Sequence, residues 1–416
     1  MKYLSIFLLT CLLFVACNDD SPGTVVPIVE DPTGDDNLVS PASCDDHDNN
    51  LQYSANRNFA FDLLQAVNEF DAEKNVFTSP MSVSIALTML YNGTNGAGKA
   101  EMDHVMHLNG IDLETLNQNY FCLLNEIVEL DDEVILNIAN SIWTRNNFQA
   151  KEEFVAFAEE YLESEFFSVN FTEPGMVDVI NGWISDKTEG KITDALDMIP
   201  GNVVMYLINA IYFNADWKYS FDPEFTYQGN FTDINGGASA VDFMTQTNDY
   251  RYTQTDDYQA IDVPYGNDNF SLTIFLPSGN VNDFLTDFSE SAFVDAIAQM
   301  QEREVLFTMP KFELEYKILL NDALKAMGMN GIFQAGSLEN IQEDYGLMVS
   351  RVIHQTFLEI DEMGTEAAGV TIIEIVESTS VDGPPTMIVN RPFVFYIRDR
   401  VNNNVLFSGK IVDPNL

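Results

Sequence analysis

The chain has 416 residues, 46% hydrophobic and 12% aromatic, an ordinary globular composition that excludes a largely disordered protein. Its 65 acidic and 19 basic side chains give a formal charge of −46, which repels phosphates at long range and argues against nucleic acid as a partner. The four cysteines, Cys11, Cys17, Cys44 and Cys122, form no C-x-x-C pair, which removes zinc-ribbon and thioredoxin-type chemistry.

Met1 and Lys2 give a short positive start, and residues 3–16 are almost wholly apolar. That run is shorter than the roughly 20 residues of a membrane span, and it reads as the core of a secretory signal. It ends Leu13-Phe14-Val15-Ala16-Cys17, which resembles a bacterial lipobox with Phe14 in place of the usual Leu. The resemblance makes residues 1–16 a signal peptide and Cys17 the lipidated first residue of the mature chain. The alternative is a plain signal peptide cut after Ala16. A lipid anchor of more than one acyl chain holds a protein stably in a bilayer. Residues 17–51 are rich in Asp and Pro without helical or strand period, and are expected to form an acidic tether. The Asp19-Asp20 pair resembles the surface-export signal of Bacteroidetes lipoproteins. The expected location is therefore the cell envelope, as an outer-membrane lipoprotein exposed at the surface. The aspartates with His47 read as a solvated linker rather than a metal site.

Beyond residue 51 the pattern changes. Residues 56–70, 80–91 and 152–166 carry apolar side chains at helical spacing. Strand patterns follow at 203–208, 271–276, 305–309, 352–360, 387–389, 393–397 and 405–411, with helices at 281–286, 291–300 and 320–326. Helices first and strands later, with no repeat or composition break, predict one α+β domain over 52–416.

Enzyme constellations are missing. There is no G-x-S-x-G elbow, phosphate loop or H-E-x-x-H. His104 and His107 lie three apart on a predicted helix, which reads as a solvated face rather than a metal site. No cofactor or metal is expected.

Residues 362–385 read EMGTEAAGVTIIEIVESTSVDGPP. They follow a strand pattern and then turn to small residues, which are poor formers of an ordinary buried strand. Small side chains suit a segment that is exposed as a loop and also slides between existing strands. From Thr365, one parity is Thr365, Ala367, Gly369, Thr371, Ile373 and Ile375, with no charge. The other holds Glu366 and Glu374. One face is thus able to enter a core. A fixed strand beside residues 352–360 is the plainer reading.

At this segment the sequence resembles the serpin family. Its hinge pattern is matched by Glu362-x-Gly364-Thr365-Glu366-Ala367-Ala368, and its C-terminal pattern by Asn390-Arg391-Pro392-Phe393-Val394-Phe395 with Leu406-Phe407-x-Gly409-Lys410. Upstream, Asn75-Val76-Phe77-x-Ser79-Pro80-x-Ser82, Thr188-x-Gly190-Lys191-Ile192, Asn209-Ala210-Ile211-Tyr212-Phe213 with Trp217, and Val263-Pro264-Tyr265 also fit, in order, over residues 52–416.

The resemblance implies a single domain of three sheets and eight to nine helices with an exposed reactive-centre loop at about 362–386. It implies a monomeric suicide inhibitor of serine proteases, and sometimes of cysteine proteases. The cleaved loop inserts into the central sheet and traps the acyl-enzyme as a covalent 1:1 complex. By position, the hinge is Glu362, Gly364, Thr365, Ala367, Ala368, Gly369 and Thr371. Ser79, Ser82, Asn209 and His354 take the shutter positions, and Trp217, Lys311 and Glu362 the breach. None is catalytic. Counting seventeen residues from Glu362 places the reactive bond at Ser378-Thr379, with Val376 and Glu377 as neighbouring alternatives. Residues 363–387 contain no Lys, Arg or aromatic side chain, so elastase-like or subtilisin-like targets are expected, with a glutamyl endopeptidase as a lesser option. A non-inhibitory carrier or chaperone is the alternative function; the small hinge residues favour inhibition. Pairing of Cys44 with Cys122 is left open.

Overall fold

The computed structural model describes residues 43–44, 49–343, 346–365 and 384–416. In chain order the elements are α1 (Asn50–Phe70), β1 (Val76–Thr78), α2 (Pro80–Gly93), α3 (Gly96–Val105), α4 (Leu113–Val128), β2 (Val134–Arg145), α5 (Glu152–Leu162), β3 (Glu165–Val169), α6 (Met176–Lys187) and β4 (Met205–Asp216). They continue with β5 (Tyr227–Thr232), β6 (Ala238–Gln254), β7 (Tyr258–Tyr265), β8 (Phe270–Pro277), α7 (Val281–Asp287), α8 (Glu290–Gln299), β9 (Gln301–Pro310), β10 (Phe312–Leu319) and α9 (Asn321–Ala326). The last are β11 (Ile353–Ile360), β12 (Gly364–Thr365), β13 (Thr386–Ile388), β14 (Phe393–Asp399) and β15 (Val405–Ile411). The expected α+β domain of three sheets and eight to nine helices is what the structure has, with nine α-helices among the described residues.

Local chemistry accounts for the elements that matter here. Helix α2 starts where the Ser79 hydroxyl accepts from the Ser82 N–H and Pro80 fills the first turn. It is apolar almost all round and therefore buried. Helix α5 stops at Leu162, because Glu163 turns left-handed at φ 48°, and β3 follows at once. The helical pattern read as far as residue 166 is therefore four residues too long. The strand read at 203–208 overlaps the start of β4, which begins two residues later at Met205 and runs on to Asp216.

The largest sheet has nine strands. Eight run in the order β1-β15-β14-β8-β7-β6-β9-β13, and β5 pairs off β6. Strand β8 is buried at every position, as its unbroken run FSLTIFLP requires. A four-stranded sheet, β12-β4-β2-β3, and a two-stranded one, β10-β11, lie against it. The core between them is aromatic. Phe77 stacks on Phe407 at 5.3 Å and on Phe395 at 5.7 Å, and Phe213 of β4 meets Phe407 edge-on. A smaller cluster, with Trp143 stacked on Phe167 at 4.1 Å, packs under α6.

Cys44 and Cys122 form a disulfide. It ties the segment ahead of α1 to the middle of α4. Asn50 and Leu51, read as tether, make the first turn of α1.

Candidate functional site

Strands β4 and β11 end side by side but do not pair. Strand β4 is held by β2, from Val134↔Ala215 to Thr144↔Met205. Strand β11 is held by β10, from Phe312↔Ile360 to Leu319↔Ile353. Among the described residues no ladder joins the two, and only the two residues of β12 enter at the head of the gap. They run antiparallel to β4, with Gly364 opposite Asp216 and Thr365 opposite Ala215.

The turn that delivers β12 is tightly specified. The Asp361 carboxylate accepts from the N–H groups of Met363 (2.8 Å) and Gly364 (3.2 Å). Trp217 donates its indole N–H to the Asp361 carbonyl (2.8 Å) and its backbone N–H to that of Met363 (2.7 Å). Gly364 needs its lack of a side chain: a Cβ would lie within van der Waals radii of the Ala215 oxygen and 2.7 Å from the Asp216 Cα. Thr365 is buried, and its hydroxyl lies 2.7 Å from the Tyr265 hydroxyl. Tyr265 in turn stacks on Trp217 at 4.4 Å.

Glu362 is clamped beside this turn. Its carboxylate meets Lys311 Nζ at 2.6 Å and accepts from the Thr226 hydroxyl at 2.7 Å. Its carbonyl accepts from the Phe221 N–H. Burial pushes the Glu362 pKa up, but the hydrogen bonds from Lys311 and Thr226 outweigh it and hold the group below the usual carboxylate range. The structure thus brings Trp217, Lys311 and Glu362 together. Thr226 and Tyr265 belong to the same cluster; the sequence assigned neither of them a role, Tyr265 entering only through the Val263-Pro264-Tyr265 pattern, because their partners lie 136 and 100 residues away.

Lower in the gap the side chains split into two groups. His354 Nε2 accepts the Ser79 N–H at 2.9 Å, and the Ser79 hydroxyl donates to the Leu406 carbonyl. Burial pulls the His354 pKa down to about 4, so the ring is neutral and carries its proton on Nδ1. Asn209, across the gap on β4, does not touch His354. Its amide donates to Asn140, and Asn140 donates to the Leu162 carbonyl. Ser82, Asn209 and His354 line one cavity of about 400 Å³ between β4 and β11, closed by Leu87, Leu196 and Val352. One polar atom of β4, Asn209 Oδ1, is buried there without a partner among the described residues.

The remaining predicted positions, Ala367, Ala368, Gly369, Thr371, Val376, Glu377, Ser378, Thr379 and Cys17, lie outside the described residues. No cluster of three potential metal ligands occurs among the described residues. His107 is taken up by Asp62 at 2.7 Å instead.

The family model described as serpin (serine protease inhibitor) matches residues 54–414. An uncharacterized serpin-like protein of Methanosarcina acetivorans is 30% identical over 422 residues, covering 97% of this chain and 96% of its own length. The native-state crystal structure of tengpin, a thermophilic serpin, superposes with a TM-score of 0.81 at 29% identity, covering 90% of this chain and 96% of that one. Human thyroxine-binding globulin with thyroxine bound superposes with a TM-score of 0.80 at 25% identity, over 88% and 100% of the two chains. The chain belongs to the serpin family, a family of serine protease inhibitors.

Proposed function

We propose that this serpin is a surface-tethered inhibitor of elastase-like or subtilisin-like serine proteases, acting by insertion of its cleaved loop between β4 and β11. The observation that carries the reading is the two-residue β12 at the head of an otherwise unfilled gap. If the inserted loop kept the register of β12, Ala367 would lie opposite Phe213, Gly369 opposite Ile211, Thr371 opposite Asn209, Ile373 opposite Leu207 and Ile375 opposite Met205. Small residues then pass the crowded aromatic head, and the isoleucines reach the apolar cavity. A hydroxyl arrives beside the orphaned Asn209 Oδ1.

About ten new backbone hydrogen bonds at roughly 1 kcal/mol each, and about 1.5–3 kcal/mol for each buried isoleucine, give on the order of 10 kcal/mol. That matches the stability of a whole domain. It is enough to deform a protease held by an acyl bond to Ser378. The Cys44–Cys122 disulfide supports an oxidising, extracytoplasmic location, consistent with lipidation at Cys17.

The test is incubation with a panel of serine proteases. An SDS-stable covalent complex with elastase-type or subtilisin-type enzymes, releasing a fragment that begins at Thr379, is expected. A terminus outside residues 376–382 moves the reactive bond. Cleavage with no complex by any protease defeats inhibition and leaves the carrier reading, which the likeness to thyroxine-binding globulin favours.

A further inference from the structure

The cavity between β4 and β11 has two ends of different chemistry. Asn209 and His354 lie at the upper end and Arg351 at the lower mouth, and the wall between them is aliphatic, with Leu90 of α2, Ile184 of α6 and Leu207 of β4. None of the residues that line it is Asp or Glu, although the chain has 65 acids to 19 bases. The His354 ring is neutral, so Arg351 is the one formal charge among the described lining residues.

The mouth joins that charge to exposed apolar side chains. Met348 lines it and is 48% exposed. Met198 is 60% exposed, and its carbonyl accepts from the Arg351 guanidinium at 3.4 Å. Flexible thioethers of this kind adapt to the shape of a ligand. The acids of the Met198 loop are engaged elsewhere: Asp197 pairs with Lys317, and Asp194 accepts from Gln355. Among the described residues no carboxylate pairs with Arg351, whose charge is left to a ligand.

From this lining we infer that the cavity binds a single-chain aliphatic anion, a carboxylate of the fatty-acid type, with its head at Arg351 and its tail running toward Asn209. Charge sets the head, because a cationic head would meet Arg351 with no acid to receive it. Volume sets the tail. A methylene is close to a water molecule in size, about 30 Å³. The cavity of about 400 Å³ lies in the range of small-molecule sites, and it holds about a dozen such groups. That is one chain and leaves no room for the second chain of a phospholipid. Asn209 and His354 end the apolar stretch, so a longer tail gains nothing further. The cavity is open in the uncleaved chain, so the inference stands or falls apart from the inhibitory reading.

The experiment titrates the full chain by calorimetry with octanoate, decanoate and dodecanoate, below the concentrations at which they form micelles. One saturable site is expected, tightening about fourfold for each added methylene. Decyltrimethylammonium, which carries a cationic head on a ten-carbon tail, should bind at least tenfold more weakly than decanoate. Arg351→Gln, at an exposed position, should weaken decanoate about threefold to fivefold and leave the gain per methylene unchanged. Ala86→Leu fills part of the cavity from α2; it should weaken dodecanoate at least tenfold and octanoate much less. Unchanged melting of the two variants shows that they fold. Dihexanoylphosphatidylglycerol, a two-chain lipid, should not displace decanoate. No saturable binding, equal affinity for the two heads, no gain with chain length, or displacement by the two-chain lipid overturns the inference. Binding that Ala86→Leu leaves unchanged lies elsewhere on the molecule and overturns it as well.

Discussion

Replacing Thr365 by arginine isolates the step on which inhibition depends. Thr365 is 4% exposed and bonded to the Tyr265 hydroxyl at the head of the gap. Thr365→Arg removes that hydrogen bond, about 1 kcal/mol. It also puts a guanidinium where Thr365 already sits, in a place bordered by Phe213, Phe357 and Phe407, so the two residues of β12 are expelled and the charge must be buried when the cleaved loop inserts. An unpaired buried charge costs several kcal/mol. Partial escape to solvent leaves a net cost of about 3 kcal/mol, which slows insertion by about 100-fold. Deacylation of the protease is untouched, so the variant is cleaved and releases active enzyme. The assay is the number of inhibitor molecules consumed per protease, with the SDS-stable complex run in parallel. A rise of tenfold or more, with cleaved chain replacing complex, is expected. Thr365→Val, which loses only the hydrogen bond, should stay close to wild type. An Arg variant that traps protease as efficiently as wild type refutes the placement of this side chain in the inserted face.

Three further outcomes follow from named groups. His354 is neutral when folded, with its pKa lowered from 6.5 to about 4 by burial. The unfolded chain therefore takes up the proton first, and stability present above pH 6.5 falls as pH drops toward 4, by up to about 3 kcal/mol. Denaturant midpoints across that window should fall less steeply for His354→Gln, and an identical slope contradicts the assignment. The disulfide closes a span of 78 residues, so Cys44→Ser should lower stability by about 4 kcal/mol in the chain-entropy account. A loss below about 1 kcal/mol means that α4 and the N-terminal segment are held by their other contacts. Cys17→Ser should move the protein from the membrane fraction to the soluble one, and unchanged detergent partitioning removes the lipid anchor.

What could be read from the sequence was what is local. The uncharged parity from Thr365 is set by residues within a few positions of one another, and the chain carries that pattern openly. Gly364 is legible for the same reason, although its cause, the approach of the Ala215 carbonyl, lies on another strand. Thr226 is illegible because nothing near it in the chain differs from an ordinary polar position, and Tyr265, though part of the matched Val263-Pro264-Tyr265 pattern, carries no local sign of its contact with Thr365. The placing of Asn209 was half legible. Family position put it at the opening of the sheet, and it lines the cavity there, but its amide is held by Asn140 on β2 rather than by His354. Helix α5 was overread because Glu163 is a good helix former. Its left-handed turn is imposed by the entry of β3 into the sheet. The disulfide was undecidable because it depends on where the segment before α1 returns, which no local pattern records.

The energetics of the gap point to kinetic control on the proposed reading. A buried polar atom left unpaired costs about 1–3 kcal/mol, and β4 carries one, on Asn209, facing a cavity that a strand would fill. The opposing latches are modest. The Glu362–Lys311 pair is partly open to solvent, with Lys311 35% exposed, which limits it to about 1 kcal/mol. The bonds from Thr226 and Tyr265 add about 1 kcal/mol each. Against a gain on the order of 10 kcal/mol from insertion, about 3 kcal/mol of latching cannot make the open sheet the global minimum. The intact loop must therefore be kept out by a barrier. The latches act on that barrier: they hold Glu362 and Trp217 in place, so that the strands above the cavity part only when a cut end is free to follow.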